Sequence, residues 1–219
     1  PFRTELLLRA EDCGVTAAGG FEMLVAQAVF AAEHFTGSTL DTDTLIPAVS
    51  RRLRHQLANV SLIGMPGCGK STVGAALAKR LDKRFVDLDA EIERRTGHNI
   101  PDIFAEEGEE AFRRYEAAVL AEVAKGNSQV IACGGGVVKN PANSRALRQN
   151  GPVLWVRRPL SSLATRGRPL SKGGEALRQM EAERTPLYTA AATAELENNA
   201  TLTEAVDKAV ELFEADETL

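Results

Sequence analysis

The sequence lacks any long run of apolar residues. No segment approaches the roughly 18 uninterrupted apolar residues that a membrane-spanning helix needs, and the N-terminal stretch PFRTELLLRAEDCG carries acidic residues beside its leucines. We therefore expect neither a membrane span nor a signal peptide. Because the first residue is Pro1 and not methionine, we also expect the chain to be processed or to be a piece of a longer protein.

Cysteine pairs and an excess of basic charge are also missing. The three cysteines, Cys13, Cys68 and Cys133, form no C-x-x-C pair and no cluster with histidine, which excludes a typical zinc site and a disulfide framework. We expect reduced thiols in a cytoplasmic protein. The 26 Lys and Arg residues are outnumbered by 30 Asp and Glu residues, for a net charge of -4, so nucleic acid is not an expected partner. Small molecules are the expected partners.

The length of 219 residues allows one full α/β domain with a modest appendage. Apolar residues at helical spacing predict helices over residues 1–36, and the segment 38–47, STLDTDTLIP, predicts a linker closed by Pro47. We place a domain boundary near residue 50. It divides the chain into a helical extension with linker, 1–50, and a main domain, 51–219. The stretch AVSRRLRHQLAN, residues 48–59, is a helical lead-in to the main domain.

From Asn59 onward, short β-rich runs alternate with helical patterns. The runs are NVSLIG, RFVDLD, QVIACG, PVLWV and TAELE, and between them lie patterns such as STVGAALAKRLD and EEAFRRYEAAVLAEVAK. This alternation is typical of a parallel sheet covered by helices on both faces. We predict a doubly wound α/β domain over about residues 58–217.

A phosphate-binding loop is predicted by GMPGCGKSTVG, which matches G-x-x-x-x-G-K-[ST] in full, with a β-run before it and a helical pattern after it. Gly64 and Gly69 let backbone N–H groups turn toward one anion, and the helix N-terminus adds positive potential. Lys70 would reach the β- and γ-phosphates, and Ser71 would ligate Mg²⁺. The alternatives are a structural glycine turn and a nucleophilic Cys68; the second is disfavoured because no His or carboxylate lies within a few residues.

Two carboxylates close the second β-run. Asp87 and Asp89, in FVDLD, stand at alternate positions, so within a strand they would point to opposite faces unless the chain turns there. At the C-terminal edge of a parallel sheet both would lie beside the phosphate loop, where ligands bind. The alternative for Asp89 is an N-cap of the helix AEIERRTG.

Further candidates for an acceptor site follow along the chain. Arg113, Arg114 and Glu116 lie near the start of one helical pattern, where charged residues also commonly form a solvated face. Gly134–Gly136 directly follow a β-run and would let the backbone approach a ligand closely, or form a tight turn. Later segments rich in Gly and Pro supply three more arginines: Arg166, Arg168 and Arg184.

The motifs taken together resemble the shikimate kinase family. They are GMPGCGKSTVG, FVDLDAEIERRTGHNIPDIFAEEGEEAFRRYE, VIACGGGVV, RPL and ERTPLY, in this order and spacing. The resemblance implies a P-loop kinase of the nucleoside-monophosphate-kinase-like type, an α/β fold with a five-stranded parallel sheet and helices on both faces, here with an N-terminal helical extension. It implies ATP and Mg²⁺ as cofactors. The implied reaction is phosphorylation of the 3-hydroxyl of shikimate, giving shikimate 3-phosphate and ADP in the pathway to chorismate and the aromatic amino acids.

The resemblance assigns roles on the acceptor side. Asp89 corresponds to the acidic residue that contacts the shikimate hydroxyls, and Asp87 to the one near magnesium. Arg113 and Arg184 correspond to the arginines that hold the substrate carboxylate, and Glu116 to a carboxylate that orients Arg113. Arginine binds carboxylates through a two-pronged fork, which suits a monoanionic substrate with vicinal hydroxyls. The implied substrate-binding set is Asp89, Arg113, Gly134, Gly135, Gly136 and Arg184.

The resemblance also assigns roles on the nucleotide side. Lys70 and the lid arginine Arg168, together with Mg²⁺, would neutralise charge on the transferred group, and Asp89 would accept the hydroxyl proton; these three residues are the implied catalytic set. The implied metal ligands are Ser71 and Asp87. The implied ATP-binding set is Gly67, Cys68, Gly69, Lys70, Ser71, Thr72, Arg166 and Arg168.

The lid segment departs from the family pattern. Only Gly167 separates Arg166 from Arg168, and Ser171 stands where a second leucine commonly follows RPL. Which of the two arginines contacts ATP therefore stays open.

The first 37 residues are similar to the C-terminal end of shikimate dehydrogenase, through P-x-x-T-x-L-L, G-G-x-x-M-L-x-x-Q and a closing F-x-G. Gln27 corresponds to a glutamine that contacts substrate in that family. The resemblance implies a dehydrogenase–kinase fusion, of which this chain lacks the catalytic parts of the dehydrogenase. We expect the extension to pack as a helical pair, on the main domain or on a second copy of the chain, and to add nothing to the chemical step. The expected assembly is a monomer or weak homo-oligomer.

Two other functions compete with shikimate phosphorylation. One is a nucleotide-binding regulatory module whose acceptor site is vestigial, which intact Asp89, Arg113 and Arg184 disfavour. The other is a kinase for a different sugar acid or for a nucleotide, and the sugar-acid version would tolerate the arginines. ADP release with different acceptors discriminates among them.

Overall fold

The computed structural model describes residues 1–163 and 174–216. These residues contain ten α-helices and five β-strands. The helices are α1 Glu5–Asp12, α2 Phe21–Thr36, α3 Thr42–Leu57, α4 Lys70–Arg80, α5 Leu88–Thr96, α6 Ile100–Glu106, α7 Gly108–Val123, α8 Pro141–Arg148, α9 Gly174–Ala191 and α10 Leu202–Glu214. The strands are β1 Val60–Ile63, β2 Arg84–Asp87, β3 Gln129–Ala132, β4 Val153–Arg157 and β5 Ala194–Glu197.

The five strands form one sheet in the order β2-β3-β1-β4-β5, and every pairing is parallel. Each β-rich run of the sequence coincides with one of these strands, with β4 extending one residue past its run to Arg157, so the predicted five-stranded parallel sheet is confirmed. The central strand β1 is buried along its whole length, as a parallel strand covered on both faces must be. The chain leaves β1 toward one side of the sheet and later crosses to the other side, which opens a crevice at the C-terminal ends of the strands.

Helices cover both faces of the sheet. On one face α4 contacts β2 and β3, and α10 packs against α4 and β5; on the other face α7, α8 and α9 contact one another in series. The core between these layers includes the fully buried side chains of Leu62, Leu77, Leu120, Leu154 and Tyr188. Among residues 1–163 and 174–216, none of the helices combines the length and apolar character that crossing a membrane requires.

The segment predicted as a linker, 38–47, is helical in its second half, so that prediction is wrong there. Helix α3 begins at Thr42 and continues through Pro47. The Asp41 side chain accepts a hydrogen bond from the Thr44 N–H and caps the helix, and packing against α2 supports it. The proline removes one backbone donor, a loss that this packing offsets. Helix α3 also runs without a break across the boundary expected near residue 50.

The N-terminal extension docks at the edge of the sheet where the strands begin. Phe2 N donates to Asn150 Oδ1 at 3.1 Å, and Arg3 N donates to the Gln149 carbonyl at 3.0 Å, just before β4. Helix α1 contacts α8, and α2 contacts α3. The two helices of the extension therefore pack on different helices, α8 and α3. Several large apolar side chains of the extension stay exposed: Leu6, Met23, Leu24, Phe30 and Phe35.

Candidate active site

The phosphate loop joins β1 to α4, as the sequence pattern predicts. Three of its glycines have positive φ, at 140° for Gly64, 85° for Gly67 and 99° for Gly69, which side chains of L-residues rarely adopt. Gly69 is the N-cap of α4. The loop therefore places the unpaired N–H groups and the positive end of a helix at the C-terminal edge of the sheet.

Lys70 lies at the start of α4 and folds back over the loop. Its Nζ donates to the Gly64 carbonyl at 2.9 Å and to the Met65 carbonyl at 3.0 Å. The thiol of Cys68 is fully buried, with its Sγ 3.8 Å from Lys70 Nζ. The thiol is therefore enclosed inside the loop, and the Cys68 N–H donates to the Met65 carbonyl at 3.3 Å.

Ser71 and Asp87 form a pair of oxygen groups beside the loop. Ser71 Oγ donates to Asp87 Oδ2 at 2.6 Å. The other Asp87 oxygen accepts from the N–H groups of Asp89 and Ala90, at 3.1 and 3.4 Å, because β2 ends at Asp87 and α5 begins at once. Asp87 is thus the N-cap of α5, and the alternative that gave this role to Asp89 is wrong.

Asp89, on the first turn of α5, faces Gly134 together with Glu116. A Cβ on Gly134 would lie 2.8 Å from Asp89 Oδ1 and 3.0 Å from Glu116 Oε1, and both of these oxygens are buried without a hydrogen-bond partner. Burial raises the pKa of Asp89 above 3.8, and the charge of Asp87 raises it further. Burial also raises the pKa of Glu116, although the guanidinium of Arg113 opposes this. Both carboxylates thus lack the solvation of their charged forms.

The glycine triplet owes its composition to space. None of Gly134–Gly136 has positive φ, so the turn between them does not require glycine for its backbone angles. A Cβ on Gly135 would meet the ring of Pro66 at 2.8 Å, and one on Gly136 would overlap the guanidinium of Arg113. The space that the missing Cβ atoms leave is therefore taken by neighbouring side chains of the site.

Arg113 is held in a charged cluster on α7. Its guanidinium binds Glu116 at 2.8 Å and Glu109 at 3.1 Å. Glu116 is 0% exposed, so the solvated-face alternative is wrong for this pair. It fits Arg114, whose side chain is 68% exposed.

Arg184 is a buried cation on α9, only 4% exposed. Its Nη1 donates to the Gly135 carbonyl at 3.0 Å, and the Tyr188 hydroxyl donates to the same oxygen. The Arg184 Nε has no hydrogen-bond partner. Within the described ranges, no acidic side chain forms an ion pair with Arg184, unlike Arg113. A buried guanidinium in this state favours an anionic ligand.

A single cavity of about 500 Å³ joins the loop to the carboxylates and arginines. Every predicted site residue in the described ranges lines it except Cys68. These lining residues are Gly67, Gly69, Lys70, Ser71, Thr72, Asp87, Asp89, Arg113, Gly134, Gly135, Gly136 and Arg184. The two predicted lid arginines, Arg166 and Arg168, lie outside the described residues.

The cavity also has walls that the sequence interpretation missed. Ile100, Phe104 and Phe112 supply apolar surface, and the rings of Phe104 and Phe112 lie 4.8 Å apart. Arg158 lines the nucleotide-loop side, and Met180 of α9 lies in the wall as well. Of these residues, Arg158 could have been predicted from its position in the sequence. It directly follows the end of β4, at the edge of the sheet where ligands bind.

Comparisons with known proteins agree with this geometry. A family model described as shikimate kinase matches residues 66–214. The shikimate kinase of Symbiobacterium thermophilum is 44% identical over 144 residues, which cover 61% of this chain and 83% of that protein. One from Clostridium botulinum, strain Alaska E43, is 40% identical over 154 residues, which cover 68% of this chain and 93% of that protein.

A solved structure is similar as well. The shikimate kinase from Acinetobacter baumannii in complex with shikimate superimposes with a TM-score of 0.71 at 35% identity, covering 76% of this chain and 98% of that one. The family match begins at residue 66, so the extension lies outside it.

Proposed function

This chain belongs to the shikimate kinase family, and we propose from that premise that it transfers the γ-phosphoryl group of ATP to the 3-hydroxyl of shikimate. The products are shikimate 3-phosphate and ADP, on the route to chorismate and the aromatic amino acids. One observation carries the proposal for this chain: the phosphate loop and a carboxylate–arginine cluster line the same cavity. A donor and an anionic acceptor with hydroxyl groups can therefore meet there.

The nucleotide occupies the phosphate-loop side. The loop N–H groups and the N-terminus of α4 bind phosphate oxygens, and Lys70 adds a positive charge at the cavity wall. Bound Mg²⁺ supplies neutralisation of phosphate charge. Ser71 and Asp87 suit it as ligands, because they present two oxygens side by side and magnesium typically takes only one or two protein oxygens besides phosphates and water.

Asp89 is the group we assign as general base. It holds a buried oxygen without a partner, and its raised pKa brings it closer to the pH at which proton transfer is efficient. As the substrate hydroxyl oxygen attacks the γ-phosphorus, its O–H bond breaks and the proton passes to the Asp89 carboxylate. The bond from the γ-phosphorus to the bridging oxygen breaks at the same time, and ADP leaves.

The two arginines are assigned to the substrate carboxylate. Arg184 is buried and offers an unpaired Nε, while Arg113 is aimed by its bond to buried Glu116. A planar carboxylate can accept from both guanidinium groups at once. This assignment selects an anionic acceptor and disfavours a neutral sugar. Arg168, or its neighbour Arg166, remains our predicted lid residue over the ATP phosphates.

For the extension we propose a separate origin. Residues 1–50 would be the end of a shikimate dehydrogenase unit fused to the kinase domain of residues 51–219, and the product would act in the cytoplasm. The motif similarity of the first 37 residues supports this, and Gln27, which lies exposed on α2, would belong to the dehydrogenase site. No part of the extension lines the kinase cavity.

A coupled assay of ADP release tests the proposed function. Shikimate, gluconate and AMP are offered as acceptors with Mg-ATP, beside a reaction without acceptor. We expect release only with shikimate, because it alone of the three combines a carboxylate with the ring hydroxyl groups of the substrate for which the family is named. Equal release with buffer or AMP would contradict the proposal. Binding of MgADP without any transfer would favour the regulatory module with a vestigial acceptor site.

A further inference from the structure

Asn198 connects the end of the sheet to the phosphate loop. It lies between β5 and α10 and is 8% exposed. Its Nδ2 donates to the Cys68 carbonyl at 2.7 Å, across 130 positions of sequence. Its own backbone N–H donates to the Arg157 carbonyl at 2.9 Å, at the end of β4. The side chain is therefore fixed at its base by the sheet and at its tip by the loop.

The contact fixes the direction of one loop peptide. In a planar trans peptide the carbonyl and the following N–H point to opposite sides. Holding the Cys68 carbonyl on the Asn198 side therefore turns the Gly69 N–H to the other side. Gly69 lines the cavity and Asn198 does not. The N–H is thus directed toward the cavity.

A glycine loop needs such a restraint. Gly69, at φ 99°, is free of the steric limits that keep other residues in one conformation, so its preceding peptide can rotate readily. A rotated peptide would present a carbonyl oxygen to the phosphates and repel them. The packing is also tight, because a Cβ on Gly69 would lie 2.5 Å from Asn198 Nδ2.

We propose that Asn198 is a positioning residue of this kinase, which holds the 68–69 peptide so that its N–H binds the nucleotide phosphates. The inference rests on the proposed function, since it assumes that the loop binds ATP. It makes a selective claim: loss of the side chain weakens nucleotide binding but leaves shikimate binding on the far side of the cavity intact. A purely structural hydrogen bond would weaken the fold without this selectivity.

The chain offers a matched control in Asn150. That side chain is 1% exposed, and its Nδ2 donates to the Ala124 carbonyl at 2.8 Å. It thus makes the same kind of buried amide-to-carbonyl bond, but at the opposite edge of the sheet. Asn198→Ala and Asn150→Ala each remove one buried amide-to-carbonyl bond. Asn150→Ala also removes the bond from the Phe2 N–H to Oδ1, and only the Asn198 change touches the loop. Asn198→Leu is a second variant that fills more of the space without a donor.

The experiment compares the full chain and the three variants by calorimetric binding of MgADP, by the KM for shikimate, and by thermal melting. For both Asn198 variants we expect the MgADP dissociation constant to rise about tenfold, which corresponds to about 1.4 kcal/mol, while the shikimate KM stays within about twofold. Asn150→Ala should melt earlier yet bind MgADP as the unmodified chain does. If Asn198→Ala does not fold, Asn198→Leu gives the reading.

Three results would overturn the inference. They are MgADP affinity unchanged in the folded Asn198 variants, an equal loss of shikimate and nucleotide affinity, and an equal nucleotide defect in Asn150→Ala. If the unmodified chain binds no MgADP, the proposed function fails and the inference fails with it. If the unmodified chain transfers phosphate normally and any of the three results is found, the inference about Asn198 fails while the proposed function stands.

Discussion

The buried amide side chains at one edge of the sheet and three buried charged side chains at the other differ in how fully they are hydrogen-bonded. At the edge where the strands begin, Asn59 donates to the Gly126 carbonyl at 2.8 Å and accepts from the Gln129 N–H at 3.0 Å. Asn150 likewise uses both ends of its amide, on Phe2 and Ala124. These groups satisfy each other, so this edge contributes to stability.

At the edge where the strands end, three buried charged side chains each leave one polar atom without a partner among the described residues. Asp89 Oδ1, Glu116 Oε1 and Arg184 Nε are all buried and unpaired. An unsatisfied buried group costs about 1–3 kcal/mol, so the fold tolerates a loss of stability here. The comparison teaches where the ligand belongs: the groups that the protein leaves unpaired are the ones that a bound acid and hydroxyl would pair.

The largest expected effect comes from Asp89→Asn, at the edge where the strands end, which we call the incomplete edge. We expect kcat to fall by roughly 10²- to 10⁴-fold, because the amide cannot accept the hydroxyl proton. The melting temperature should not fall and is expected to rise, because the variant no longer buries a charge beside Asp87. Steady-state kinetics and calorimetry measure both. Asp43→Asn, on the exposed first turn of α3, is the control; a variant at Asp89 that unfolds while keeping its specific activity would contradict the assignment.

The next effect concerns the two arginines. Arg184→Ala and Arg113→Ala should each weaken shikimate capture by about 2–4 kcal/mol, seen in KM, because the substrate carboxylate loses a charged fork. Affinity for MgADP should change little. Arg114→Ala is the matched control, because it lies on the same helix with a side chain that is 68% exposed. A loss of equal size in the Arg114→Ala control would mean that the overall positive charge of this helix attracts the substrate, and not specific pairing with Arg113 and Arg184.

A pH series sharpens the same contrast. Burial and the charge of Asp87 raise the pKa of Asp89, so kcat/KM should fall as pH decreases through a value above 3.8, and this acid limb should be absent in Asp89→Asn. For stability the sign is opposite. Above pH 3.8 the unfolded state loses this proton before the folded state does, so the contribution of Asp89 to stability decreases as pH rises through that window. Melting curves that show the reverse difference between the two proteins would refute the raised pKa.

The sequence was sufficient for features that depend on local pattern. Four of the five strands lie within the predicted β-rich runs, and β4 extends one residue beyond its run to Arg157, because short β-rich runs between helical patterns leave few other arrangements. The phosphate loop was equally readable, since its glycines serve backbone angles at fixed spacing. Pro47 misled the prediction because packing of α3 on α2 overrode a local helix-breaking signal.

Features that depend on distant neighbours could not be read from the sequence. The need for glycine at 136 arises from Arg113, which lies 23 positions earlier, and the tip of Asn198 meets the loop across 130 positions. The N-cap of α5 is Asp87 and not Asp89, because β2 stops at Asp87. This difference of two residues lies within the usual uncertainty of a helix boundary. Such contacts follow from the fold and not from the local pattern.

A smaller effect is expected from Lys83→Met, at the edge where the strands begin, which we call the completed edge. Lys83 Nζ donates to the carbonyls of His55 and Ala58, both at 2.8 Å, and so ties the end of α3 to the main domain. Burial lowers its pKa to about 8, so it remains charged at neutral pH. Removing these bonds should reduce the free energy of unfolding by about 2 kcal/mol without altering kcat. A drop in kcat of the folded variant would link this edge to the chemistry. Lys125→Met, at an exposed pair with Glu122, is the control.

The smallest effect on turnover should come from removing α1 and α2 altogether. A shortened chain that begins at Asp41 keeps the cap of α3, whereas a start at Arg51 would cut through that helix. We expect its kcat with shikimate to stay within about twofold, because the hydrogen bonds from the Phe2 and Arg3 N–H groups that dock the extension lie at the edge opposite the cavity.

Stability should respond where turnover does not. Without α2 the apolar side chains of α3 that now pack beneath it, among them Leu45, Val49 and Leu53, become exposed, so the shortened chain should melt earlier or associate. Circular dichroism, light scattering and the ADP-release assay separate these effects. If a well-folded shortened chain lost more than about tenfold in kcat, about 1.4 kcal/mol of barrier, the two edges would be coupled through the sheet. The completed edge would then act on the incomplete one, and the extension would be part of the enzyme's working structure.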